Sequence, residues 1–214
     1  MPLLFLFVLT IMLMVVIQLG VFGLVLTKLG LSANSAVLLL ASTLFGSLIN
    51  LRLFDIKSSF YELPKDFPIP RFMFNHAGLI KGKTIIAINV GGALIPLSFS
   101  LYLFSLHSLN IFDVSLAILV VTTLSYKFSR PIKGFGIGMP IFIAPISAAL
   151  SALIIDPAHS APLAYICGTF GVLIGADLLH LKDIQRMDSP IASIGGAGTF
   201  DGIFFTGIFA VLLA

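Results

Sequence analysis

Apolar residues along this chain fall into seven long runs, residues 3–26, 33–53, 84–106, 112–126, 139–155, 161–181 and 191–213, parted by short polar separators. A helix needs roughly 20 apolar residues to cross a bilayer, and most of these runs reach that length. Runs 112–126 and 139–155 are short, so they extend into their flanks, cross a thin region or dip in and return. The first run lacks a basic leader and is long enough to span, so it is read as a helix and not as a cleaved targeting segment. The pattern predicts an all-α, polytopic integral membrane bundle of about seven transmembrane helices, with residues 1–214 forming one transmembrane domain. One separator, residues 55–83, is more than a turn. It holds Pro64, Pro68 and Pro70, then short apolar-rich stretches around Ala77-Gly78, which form either a small β-hairpin on the cytoplasmic face or an irregular loop.

The basic residues sharpen this picture. Eleven of the twelve Lys and Arg lie on alternate separators: Arg52, Lys57, Lys65, Arg71, Lys81 and Lys83 on one, Lys127, Arg130 and Lys133 on another, Lys182 and Arg186 on a third. Basic loops stay in the cytoplasm. The reading that follows is a multi-pass protein of the cell membrane with its N-terminus and its C-terminus both outside.

Composition narrows the class further. Charged residues are 10% of the chain, apolar residues 58%, and the mean hydropathy is +1.14. A soluble domain carries about 25% charge, so the lipid bilayer is the natural partner. The net charge of +3 reflects membrane orientation, and no nucleic-acid partner is expected. Cys167 stands alone, which excludes an internal disulfide and a cysteine metal cage. The four histidines, His76, His107, His159 and His180, show no ligand spacing. No metal and no cofactor is expected.

Candidate chemistry rests on acids where lipid makes them expensive. An ionisable side chain at the centre of a membrane helix costs at least about 2.5–3.5 kcal/mol. Asp177 lies in Gly171-Val-Leu-Ile-Gly-Ala-Asp, and Asp201 in Gly195-Gly-Ala-Gly-Thr-Phe-Asp. At about 1.5 Å per helical residue, Asp177 sits roughly 7 Å inside the end marked by Lys182, and Asp201 roughly 15 Å beyond Pro190. Successive antiparallel helices usually neighbour each other, so the two carboxyls are candidates to share one proton. Alternatively Asp177 reaches interfacial water, and Asp201 pairs structurally with Asn89 or His180. Asn89, Gly91, Gly92, Gly175, His180, Gly195, Gly196 and Gly198 are further cavity candidates, because glycines near helix ends expose backbone groups that a polar cavity can satisfy. The same glycines also suit close helix packing.

At these two acids the chain resembles the intramembrane aspartyl proteases, the presenilin, signal-peptide-peptidase and type IV prepilin peptidase group. Gly175-Ala176-Asp177 is similar to a shortened Gly-x-Gly-Asp, and Gly196-Ala197-Gly198-Thr-Phe-Asp201 to the same motif with two extra residues. The resemblance implies Asp177 and Asp201 as a catalytic pair acting on a membrane-embedded peptide. It covers about forty residues, with no unbroken Gly-x-Gly-Asp and no Tyr-Asp pair. The chain also looks like a small uncharacterised prokaryotic polytopic family. Three functions follow as expectations: an intramembrane aspartyl peptidase, a small transporter or channel using Asp201 as an ion or proton site, and a non-catalytic membrane scaffold.

Overall fold

Isoleucine and threonine decide the first departure from a helical bundle. The computed structural model of the chain describes residues 20–21, 23–25, 27–57, 83–132, 136–186, 191–196 and 202–214. Within them Thr84-Ile-Ile-Ala-Ile forms most of strand β2 (Lys83–Asn89), buried on both faces. β-Branched residues pack well on a pleated surface and restrict a helix. β2 pairs antiparallel with β1 (Asn50–Lys57), from Asn50↔Asn89 to Lys57↔Lys83, with a register shift at Leu53. On its other side β2 pairs parallel with β5 (Ile191–Ile194), so the order is β1-β2-β5. A second small sheet joins β3 (Arg130–Ile132) to β4 (Gly136–Gly138).

The helices stand on this sheet. α1 (Ala33–Gly46) starts where the Ser32 hydroxyl accepts from Ser35 N–H. A wide π-helical turn (Val90–Leu94) carries β2 into α2 (Ile95–Leu106), with Pro96 in the first turn. α3 (Ile111–Phe128) is capped by Asn110. α4 (Ile143–Ile155) leads through a 3₁₀ turn (Pro157–His159) to α5 (Ser160–Val172), whose axis continues through a second π-helical turn (Leu173–Leu178). A further 3₁₀ turn (Asp183–Arg186) precedes β5, and α6 (Gly202–Leu213) follows it.

Contacts give the directions. Gly171 faces Val121, Gly175 faces Thr122 and Ser125, and Tyr126 stacks near His180. Positions advance together, so α3 and α5 run in parallel. Gly168 meets Thr206, Gly207 meets Tyr165, and the Ser160 hydroxyl donates to Ala214 O, so α6 runs antiparallel to α5. The sheet and Asp177 therefore lie at one end of the bundle. Asp156, His159 and Ala214 lie at the other. One hydrophobic cluster fills the helical layer around Leu103, Val121, Leu163 and Tyr165. A second joins sheet to helices through Ile86, Ala93, Ile194 and Ile203.

This corrects the expected all-α bundle of seven transmembrane helices. Among the described residues two helices are long and apolar enough to cross a membrane, Ile111–Phe128 and Pro157–Leu178. Ala33–Gly46, Val90–Leu106 and Ile143–Ile155 are shorter, and two β-sheets accompany them. The apolar runs 33–53, 84–106 and 191–213 each divide between helix and strand. Hydropathy counts apolar residues without telling a buried strand from a helix. The expected hairpin around Ala77-Gly78 lies outside the described residues. Paired strands do flank that loop, formed by β1 and β2 themselves.

Candidate functional site

The sheet end of the bundle is built by two close backbone crossings at which three glycines are required. Gly91 sits against α1 so closely that a Cβ there would overlap Thr43 O and Ser47 N. A Cβ on Gly92 would overlap the carbonyl oxygen of Gly195. Gly195 has φ +79°, and a Cβ on it would lie 2.6 Å from the Ala93 Cβ. Left-handed φ and close approach together exclude other residues at low cost. Gly196, with φ +84°, continues the turn.

Asn89 locks these crossings together. Its side chain is fully buried. The side-chain oxygen accepts from Gly92 N–H at 2.6 Å, and Nδ2 donates to Ser47 O at 2.7 Å and to Asn50 Oδ1 at 3.2 Å. Asn50 Oδ1 also accepts from the Ser193 hydroxyl at 2.5 Å. One amide thus binds the end of α1, the start of β1 and the π-helical turn, while Asn50 brings in β5. A buried amide satisfied on both its oxygen and its nitrogen rigidifies what it joins.

Asp177 enters from the opposite side. It is half-buried in the second π-helical turn, and its Oδ2 accepts from Gly195 N–H at 3.1 Å. The long helix is tied in this way to the turn that leads from β5 towards α6. His180, three residues on, is buried, with Nδ1 3.1 Å from Gly175 O and its ring 4.8 Å from that of Tyr126. Gly175 packs against Thr122 O and Ser125 Cβ.

Of the residues singled out in the sequence, Asn89, Gly91, Gly92, Gly195 and Asp177 meet in this junction. Gly175 and His180 lie at the same end but serve the contact with α3. Asp201 and Gly198 lie outside the described residues. Asp201 is six positions beyond Gly195 and immediately precedes Gly202, the first residue of α6. Ser193 carried no signal in the sequence, because its partner Asn50 is 143 positions away. Among the described residues no three His, Cys, Asp or Glu side chains converge as metal ligands.

The architecture defines a class: an apolar helical layer with two helices of membrane-crossing length, seated on a small sheet through a glycine junction that holds one aspartate. Residues 44–213 match the family described as "Protein of unknown function (DUF1614)". The match takes in most of the chain, including the sheet and the junction, and the chain belongs to that family. No curated protein and no solved structure matches it.

Proposed function

We propose that the chain is a multi-pass membrane protein in which Asp177 and Asp201 act together as an intramembrane aspartyl peptidase. The membrane part of the reading is supported by the apolar side chains left on the outside of the bundle. Phe112, Leu116, Leu119 and Val120 are exposed along α3, Ile146, Leu150 and Ile154 along α4, and Val37, Leu38 and Phe45 on α1. Contiguous apolar surface on this scale asks for lipid or a partner. Lys127, in the last turn of α3, and Arg130 and Lys182, just past the two long helices, lie at their sheet-side ends, whereas Asp113 and Asp156 stand at their starts. Basic ends favour the cytoplasm, so the sheet faces inward and Ala214 outward. The expected outside position of the N-terminus concerns residues that lie outside the described ones.

The observation that carries the chemistry is the bond from Gly195 N–H to the Asp177 carboxylate. It links the acid on one helix to the segment that reaches the second acid six residues later. Two carboxyls at one site share a proton. The ionised one then takes a proton from water as it attacks the peptide carbonyl, and the protonated one donates to the carbonyl oxygen. The test uses the full chain in lipid nanodiscs with a single-span peptide carrying a fluorophore and a quencher. Asp177→Asn and Asp201→Asn should each abolish cleavage while thermal unfolding shows the fold retained. Full cleavage by either folded variant sinks the reading.

A second reading is favoured by the hydroxyls of Thr122, Ser125 and Ser129. They are buried, Thr122 and Ser125 on one side of α3 and Ser129 just past its end, and have no hydrogen-bond partner among the described residues. Polar atoms in a dry helical layer suit water or a small ion, with Asp201 as the ion or proton site. Proton flux into dye-loaded proteoliposomes that is lost in Ser125→Ala, with no peptide cleavage by the parent chain, selects this reading. If both Asn variants behave as the parent in each assay, the glycine-packed scaffold is what remains.

A further inference from the structure

The outer strand of the sheet presents a surface that neither reading uses. Among the described residues β1 is an edge strand, and Leu51, Leu53 and Phe54 are each about half exposed on it. They continue the exposed apolar row of Phe45 and Leu48 at the end of α1. At the far end of the strand Lys57 and Lys83 are direct cross-strand neighbours, both exposed. Like charges directly opposite one another destabilise a sheet, and no salt bridge forms at either lysine among the described residues. Arg52, by contrast, is neutralised by Asp55 at 2.6 Å.

Three occupants fit an apolar edge, and two are disfavoured. A second sheet edge, from another copy or a peptide, meets a bulge at Leu53 and the charge of Lys57, devices that blunt strand addition. Pure hydrocarbon would leave unsatisfied those backbone groups of the edge that have no partner among the described residues. The headgroup zone of a membrane satisfies both demands: acyl boundary for the apolar side chains, phosphate and water for lysines and edge.

We propose that β1 lies in the headgroup zone and seats an anionic phospholipid, with Leu51, Leu53 and Phe54 at the acyl boundary and the phosphate between Lys57 and Lys83. The proposal rests on the membrane reading and not on the chemistry of Asp177. It predicts that the full chain, extracted from nanodiscs of mixed phosphatidylcholine and phosphatidylglycerol, retains phosphatidylglycerol in native mass spectra. The double variant Lys57→Gln/Lys83→Gln should lose that retention roughly tenfold or more, as two charges near an anionic surface imply. Lys28→Gln, at the opposite end, should not. Equal retention in the double variant and the parent overturns the proposal, as does equal loss in the Lys28→Gln control.

A nitroxide on Leu53→Cys supplies the second readout. It should collide with oxygen more than with a water-soluble nickel chelate. Free access of the chelate to Leu53 while a label on Leu119→Cys in α3 stays in lipid overturns the strand's placement alone. Chelate access at both positions overturns the membrane reading beneath it. A disulfide-linked dimer through Leu53→Cys would mean that a second copy covers the edge, which also overturns the lipid assignment.

Discussion

At the scale of single residues, the glycines and Asn89 behave as one assembly. Gly92 was attractive in the sequence as a cavity-lining glycine, yet its missing Cβ is what lets the Gly195 carbonyl approach. Gly92→Ala should therefore cost more than about 2 kcal/mol, at the upper end of ordinary overpacking, because backbone cannot move aside as a side chain can. Gly136, with φ +115° but open space around it, is the control. Gly136→Ala should cost only the backbone strain of about 1–2 kcal/mol. Asn89→Ala removes the partners of Gly92 N–H and Ser47 O in a buried site and should destabilise by roughly 2–4 kcal/mol. Thermal unfolding of the purified variants in one detergent ranks the three. An Asn89→Ala variant as stable as the parent would remove Asn89 from its place as the lock of the junction.

At the scale of elements, the contact between α3 and α5 follows a rule familiar from membrane helices: small residues allow backbones to approach. A Cβ on Gly171 would lie 2.5 Å from Val121 Cγ1, a clash, whereas one on Gly168 would lie 3.1 Å from the Thr206 methyl group. Gly171→Ala should thus lower the unfolding temperature markedly, and Gly168→Ala only slightly. Adding Thr206→Ser to Gly168→Ala should restore most of the small loss, since it deletes the methyl group in the way. If Gly168→Ala proves the worse of the pair, the packing assigned to α5 is wrong. These glycines were visible in the sequence as Gly168, Gly171 and Gly175, but which neighbour each one meets was not. The strands were hidden for a related reason: Thr84-Ile-Ile-Ala-Ile reads as spanning helix on hydropathy and becomes strand because β1 and β5 arrive on either side to pair with it.

At the scale of the whole molecule, orientation is the property to measure first. Ser108 follows α2 at the end that carries Asp156 and Ala214, and Lys182 follows the long helix at the sheet end; both are exposed. Ser108→Cys should react with an impermeant maleimide added to intact cells, and Lys182→Cys only after permeabilisation. Cys167, being buried, leaves the background low. Labelling of both from one side would refute a bundle that crosses the membrane. The sequence by itself determined the apolar class of the chain, the clustering of its basic residues and the unusual place of Asp177, because each is a local property of composition along the chain. Tertiary structure alone decided that several apolar runs end in strands, that Ser193 joins Asn50, and that Asp177 meets Gly195. Pairing of strands and satisfaction of buried polar groups depend on partners tens to more than a hundred residues away, which no local window contains.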